Sequence, residues 1–177
     1  MNTVSMSTRL PIRRRAVSRR PDMLGLSGAL AGLVGGMAMT IGAALLAGSY
    51  GYDIWFQLKV IASLVLGPAA IAQAGFVAGP VLVGLLIHLA VSALLGALFG
   101  IVTGRMLRLP SDFGIPPVAG LVFGLLIWLA AYFAVPVLTP QLMAVYAPAF
   151  IIQHIIYGTV TSIVYAVLRP QPYATSY

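Results

Sequence analysis

The stretch Pro80–Gly104, PVLVGLLIHLAVSALLGALFGIVTG, decides the class of fold. His88 is its only ionisable residue. As a helix, this stretch would rise about 37 Å, enough to cross a hydrocarbon layer of about 30 Å. Three other stretches have the same character, at residues 23–48, 116–135 and 147–168. The sequence therefore predicts four membrane spans, numbered one to four in chain order.

The composition supports lipid as the surroundings of the chain. Of 177 residues, 60% are hydrophobic and 7% are charged, whereas a soluble domain carries about 25% charged residues. Cysteine is absent, which excludes disulfides and thiolate chemistry. We expect a single transmembrane domain at 22–169, between a disordered arginine-rich tail at 1–21 and a short C-terminal tail at 170–177.

The net charge of +7 is carried by arginines beside the apolar runs. Because Lys and Arg are retained on the cytoplasmic side, this placement predicts that both termini and the turn between spans two and three are cytoplasmic. The same residues are candidates for contact with lipid headgroups, not with nucleic acid. They are Arg13, Arg14, Arg15, Arg19, Arg20, Arg105, Arg108 and Arg169.

Residues 54–66 form an apolar segment that is too short to cross a bilayer as a helix. It starts with Trp55 and Phe56, aromatic residues that favour the membrane interface. We expect an interfacial or re-entrant helix here. A fifth span within 54–79 is the alternative.

An internal repeat relates the two halves of the chain. AGLVGG at 31–36 matches AGLVFG at 119–124, and His88, Ser92 and Gly96 match His154, Gly158 and Ser162 in spacing. These matches predict a four-helix bundle made of two similar helical hairpins, related by a pseudo-two-fold axis along the membrane normal.

Small residues recur at fourfold spacing along the spans. Such faces let helix backbones approach closely in lipid, where no hydrophobic force draws helices together. The predicted helix-packing residues are Gly28, Gly32, Gly36, Ser92, Gly96, Gly100, Gly104, Gly120, Gly124, Gly158 and Ser162.

His88 and His154 both lie inside the predicted spans, which contain no Asp, Glu, Lys or Arg. They are a candidate haem or metal site, or an intramembrane polar site, and they are expected at similar depth. The interpretation we favour is structural, with each imidazole bonded to a backbone carbonyl or to Ser92, Tyr132 or Tyr157. The three aspartates lie outside the spans, so the pattern predicts neither a catalytic residue nor a resident cofactor.

Several strings together resemble a group of small, uncharacterised bacterial four-span membrane proteins. They are GALAGLVGG (28–36), WFQLK (55–59), HLAVS (88–92), GLLIW (124–128) and HIIYG (154–158). The resemblance covers about residues 25–168. It implies a location in the bacterial inner membrane and carries no activity.

The function that follows from these patterns is non-catalytic. We expect an accessory or structural subunit that packs against other integral membrane subunits of a larger complex, such as an energy-converting assembly. The alternatives are a small membrane cytochrome that binds haem b through His88 and His154, and a small-solute or lipid-binding bundle lined by Trp128, Tyr132 and Tyr157.

Overall fold

The computed structural model describes residues 25–110, 114–138 and 140–169. All regular structure in these residues is helical, as the sequence predicts. The predicted tails 1–21 and 170–177, with Arg13, Arg14, Arg15, Arg19 and Arg20, lie outside the described residues. The α-helices are α1 (Leu26–Ser49), α2 (Phe56–Leu66), α3 (Ala78–Ile101), α4 (Ile115–Leu138) and α5 (Pro140–Leu168).

Four of these helices, α1, α3, α4 and α5, are long and apolar enough to cross a membrane. Large apolar side chains lie exposed along all four, for example Leu45 on α1, Leu86 on α3, Leu126 on α4 and Ile163 on α5. A water-soluble protein would bury such side chains, so the exposed surface is one that lipid covers. The chain is a multi-pass membrane protein with an all-helical fold.

The spans pack in the order α3, α1, α5, α4. Consecutive spans form two hairpins, α1 with α3 and α4 with α5, and α1 joins them by also packing along α5. In the described residues, α4 has its one extended interface with α5. It reaches α3 through Phe123, whose ring centroid lies 4.8 Å from that of Phe99. The predicted pseudo-two-fold axis relates α1 to α4 and α3 to α5, so the interface of α1 with α5 should have a counterpart between α4 and α3. Since α4 and α3 form no comparable interface in the described residues, the pseudo-two-fold relation is not maintained.

The two ends of the bundle differ in charge. The arginine end carries Arg105, Arg108 and Arg169, together with a π-helical segment, Val102–Met106, that extends α3. The α2 end carries residues 50–77, including α2 and a short 3-10 helix, Pro68–Ile71. With 11 residues, α2 rises about 16 Å and cannot span the bilayer. The alternative of a fifth span is therefore wrong.

The helices near residue 140 are longer than the predicted spans, although the candidate spans within them, Ile115–Ala134 and Phe150–Leu168, lie close to the predicted 116–135 and 147–168. We expected span three to stop before Pro136 and a loop to follow until span four starts at residue 147. Instead α4 continues to Leu138 and α5 begins at Pro140. A proline suits the first position of a helix, where its missing N–H has no partner to lose. Pro140 thus starts α5 seven residues earlier than the hydropathy pattern suggests.

Candidate functional site

A column of buried polar side chains runs along α5. Gln153, Tyr157, Thr161, Tyr165 and Arg169 occupy every fourth position and are each at least 91% buried. Residues four apart lie on one face of a helix, so this face of α5 is polar from the α2 end to the arginine end. In a membrane, polar groups face the protein interior and need hydrogen-bond partners there.

The column is joined to neighbouring elements by hydrogen bonds. The Tyr157 hydroxyl donates to the Ser92 carbonyl at 2.7 Å, and the Tyr165 hydroxyl donates to the Gly100 carbonyl at 2.9 Å. Both acceptors lie on α3, eight residues apart like the tyrosines. At the α2 end, Gln57 Nε2 donates to Gln153 Oε1 at 2.9 Å. The column therefore connects α5 to α3 at two levels and to α2 at a third.

Glycine makes room for the column on α1. A Cβ atom at Gly35 would lie 2.9 Å from the Tyr157 carbonyl oxygen and would overlap the Thr161 hydroxyl. Real Cβ atoms do not approach other atoms this closely. Gly35 is therefore required for the contact of α1 with α5, although its neighbours Gly32 and Gly36 turn towards α3.

The two histidines lie beside this column in the half of the bundle nearest α2. His88 Nε2 lies 3.1 Å from the Gly36 carbonyl oxygen, and His154 Nδ1 lies 2.7 Å from the Phe150 carbonyl oxygen. Since a carbonyl only accepts, each of these nitrogens carries a proton in the neutral imidazole. Backbone bonding is the arrangement that the structural interpretation of the histidines predicts.

The two imidazoles differ in what they offer to a metal. In His154 the Nδ1 proton is held by the preceding helical turn and Nε2 is left as an acceptor, which is a common arrangement of metal-binding histidines. In His88 it is Nε2 that donates to Gly36, so this nitrogen has no lone pair to give. Among the described residues, no three His, Asp or Glu side chains gather into a metal-binding group.

The predicted packing glycines lie at the helix contacts within the chain. Gly28 and Gly32 of α1 meet the backbone of Gly96 on α3, and Ser92 meets Gly32 and Gly36. In the other hairpin, Gly120 of α4 meets Gly158 and Ser162 of α5, and Gly124 meets His154. Gly100 and Gly104 accommodate the ring of Tyr165. The small-residue faces are thus used inside the bundle.

The positions of these contacts agree with the repeat. A Cβ at Gly32 would overlap the Ser92 carbonyl, and a Cβ at the matching Gly120 would overlap the Gly158 carbonyl as well as the Ser162 hydroxyl. Ser92 and Gly158 also correspond in the repeat. The two hairpins therefore pack through equivalent residues, which supports duplication of an ancestral hairpin.

A buried ion pair at the α2 end is a feature that the sequence did not reveal. Lys59 is fully buried, and its Nζ bonds to Asp53 Oδ2 at 2.5 Å, the Gln73 carbonyl at 2.6 Å and the Gly75 carbonyl at 3.1 Å. Burial raises the pKa of Asp53, but the bonds from Lys59 and from backbone amides outweigh it and lower that pKa overall. The pair fixes the loop that returns from α2 to α3.

These features define a multi-pass helical membrane protein whose interior is closed by glycine contacts and a polar column. The chain matches the family of unknown function DUF6789 over residues 23–176 and belongs to it. No curated protein and no solved structure matches the chain.

Proposed function

We propose that this protein is a non-catalytic subunit that uses the outer face of α4 to pack against another integral membrane protein. The observation that carries the proposal is the peripheral position of α4. Only 11% of the residues in the α4 span are buried within the chain, against 39% in the α5 span. A span held by one neighbour has most of its surface free for another subunit.

The interior argues against a catalytic role. The column hydroxyls of Tyr157 and Tyr165 are used as donors to α3 carbonyls, and both histidines are bonded to the backbone. Proton transfer to a substrate requires a positioned acid or base beside a cleft. The polar groups of this bundle instead connect its helices, which suits a structural subunit without a resident cofactor.

Site-specific photocrosslinking in native membranes tests the α4 contact. A photoreactive amino acid replaces Leu126 on α4, which is 59% exposed, or Leu94 on α3, which is 71% exposed and serves as the matched control. We expect a protein adduct of higher mass from position 126 and lipid adducts alone from position 94. Lipid adducts alone from both positions, or a covalent dimer of this chain from position 126, would overturn the proposal.

The host assembly and the orientation can be determined with the same protein. We propose an energy-converting complex of the bacterial inner membrane as host, which subunits co-purified in mild detergent would identify.

Both termini are proposed to be cytoplasmic. Because the chain lacks cysteine, single cysteines introduced as Ala72→Cys and Met106→Cys report on which side of the membrane each end lies. In cells whose outer membrane has been permeabilised and whose inner membrane is intact, a membrane-impermeant thiol reagent should label Ala72→Cys and leave Met106→Cys unlabelled.

Haem binding is the second candidate, and the acceptor nitrogen of His154 is the observation in its favour. Ligation through Nε2 of His88 would require this nitrogen to give up its proton and its bond to Gly36. In the tautomer that keeps this bond, Nδ1 of His88 is the nitrogen with a lone pair for the iron. The absorption spectrum of protein expressed with ample haem decides the question. A Soret band that disappears in His154→Ala would establish the cytochrome alternative and refute the cofactor-free subunit, whereas a spectrum without that band leaves the subunit proposal standing.

A further inference from the structure

The guanidinium of Arg169, at the arginine end of the bundle, is only partly paired by the residues that the structure describes. It follows directly after α5 and is 9% exposed. The side chain lines a cleft between the end of α3 and the start of α4, with Thr103, Leu109, Pro110 and Pro116 among the other lining residues. A charged side chain buried here needs compensation, because an ion taken out of water without a partner costs several kcal/mol.

The backbone after α3 is shaped to hold this guanidinium. Leu107 N–H donates to the Val102 carbonyl at 2.8 Å, closing the π-helical turn, and Arg108 adopts a left-handed backbone with φ of 49°. The chain then turns so that the Leu109 carbonyl accepts from Arg169 Nη1 at 2.7 Å. The contact fixes the plane of the guanidinium at one nitrogen.

The other two nitrogens, Nε and Nη2, form the second donor edge of the guanidinium. Nε and Nη2 of Arg169 are buried, and neither has a hydrogen-bond partner among residues 25–110, 114–138 and 140–169. Their N–H bonds lie side by side and point the same way, which is the fork that pairs with two oxygens of a carboxylate or a phosphate. The geometry therefore selects an anion with two oxygens.

The position of the cleft selects among such anions. Among the described residues the one carboxylate is Asp53, at the α2 end, and the α1 helix of 24 residues between the two ends is about 36 Å long. Val167 and Leu168, next to Arg169, are exposed on the lipid-facing surface. Arg169 lies where the span ends, the level at which phospholipids carry their phosphate groups.

We infer that Arg169 and its cleft form a binding site for a phosphate group, supplied by the headgroup of a phospholipid in the adjoining leaflet. Two phosphate oxygens accept from Nε and Nη2, while the acyl chains follow the exposed face beside Leu168. This site differs from a general attraction of surface arginines to anionic lipid, because the donor edge is buried and held in one orientation. Arg105, which is exposed at the same end, contributes charge without such an edge.

Lipid binding to the whole purified chain tests the inference. Delipidated protein is titrated with phosphatidylglycerol, with diacylglycerol or with inorganic phosphate, and bound lipid is counted by native mass spectrometry. We expect phosphatidylglycerol to bind and to raise the melting temperature, and diacylglycerol to do neither. If phosphatidylglycerol and diacylglycerol bound equally and raised the melting temperature equally, the inference would be overturned without the need for a variant. Competition by millimolar inorganic phosphate would assign the site to free phosphate and reject the lipid as its source.

A matched pair of variants assigns the binding to Arg169. Arg169→Lys keeps the charge and loses the paired donors, so affinity for phosphatidylglycerol should fall about tenfold, which corresponds to one hydrogen bond of about 1.4 kcal/mol. Arg105→Lys should change affinity less than twofold. Equal losses in both variants would refute a specific site. The site would also be refuted if Asp112→Asn and Arg169→Lys lowered the melting temperature equally and left lipid binding unchanged. The carboxylate of Asp112, which lies outside the described residues, would then be the counter-ion of Arg169.

Discussion

Adding one methyl group at Gly158 should loosen α4 from the rest of the protein. A Cβ at this position would lie 2.6 Å from Gly124 N and 2.8 Å from Gly124 Cα, and would overlap the Gly120 carbonyl. All three neighbours are backbone atoms and cannot rotate away. Real Cβ contacts do not fall below 3.0 Å, so in Gly158→Ala the two helices must separate by about 0.5–1 Å, which forfeits a quarter to a half of each dispersion contact.

The expected loss of stability follows from two opposing terms. Overpacking of this kind costs about 1–3 kcal/mol, and the better helix propensity of alanine returns up to about 1 kcal/mol. We expect a net destabilisation of about 1–2 kcal/mol. Gly42→Ala is the matched control, because its methyl would meet the flexible end of Ile156 at 3.1 Å and should leave stability unchanged or raise it by up to about 1 kcal/mol.

Tryptophan fluorescence during thermal unfolding in mild detergent measures the effect on α4 itself. The chain has two tryptophans, so Trp55→Phe leaves Trp128 on α4 as the reporter in all proteins compared. In Gly158→Ala the emission should shift at a temperature about 2–8 °C below that of the parent protein. Identical transitions in Gly158→Ala and Gly42→Ala would refute the view that backbone contact at Gly158 holds α4 in place.

Three further substitutions test other contacts. Lys59→Met should destabilise the loop of residues 50–77 by about 1–3 kcal/mol, because Asp53 and the Gln73 and Gly75 carbonyls lose their shared donor, as measured by proteolysis of that loop. In the wild-type protein the pKa of Asp53 is lowered from its ordinary value of 3.8. The stability of the loop should therefore be constant at pH values above 3.8 and decline as the pH falls through the pKa of Asp53 in the folded protein. Lys59→Met should lack this decline. Gly84→Ala should displace α2 and speed proteolysis of it, since its methyl would overlap the Leu58 carbonyl, whereas Gly79→Ala, with open space around it, should not. Tyr157→Phe should cost about 0.6 kcal/mol and at most about 1.7 kcal/mol in thermal unfolding, and a larger loss would show that its hydroxyl supports more than one contact.

The number and class of the helices could be read from the sequence because the bilayer imposes them. An apolar run as long as Pro80–Gly104 has few stable forms other than a membrane-spanning helix. Helix ends were less predictable. Pro136 reads as a stop signal and Pro140 as a loop residue, yet one lies in the last turn of α4 and the other begins α5. Proline is compatible with either end of a helix, so its presence alone does not locate the boundary.

The partners of each helix face could not be predicted, because spacing identifies a face and not its neighbour. Gly32 and Gly35 are three residues apart, but one meets α3 and the other meets α5. Lys59 is a similar case. Its burial depends on carbonyls at residues 73 and 75 that the returning loop brings to it. The polar column left a visible signal, a polar residue at every fourth position from 153 to 169, but this spacing does not show which helices cover the face.

The column also shows how the two hairpins have diverged. With the repeat offset that relates His154 to His88, its first four residues correspond to Ile87, Val91, Leu95 and Phe99 of α3, all apolar. In α3 this face is buried at Phe99, which is 3% exposed, and open at Val91, which is 48% exposed, whereas in α5 the whole column is buried. A symmetric pair of hairpins would bury both faces alike. The polar residues are thus found on the more deeply buried copy, where the Tyr157 and Tyr165 hydroxyls donate to α3 carbonyls. The corresponding positions of α3 carry apolar side chains, which need no hydrogen-bond partner. Differential burial after duplication therefore accounts for both the broken symmetry and the position of the column.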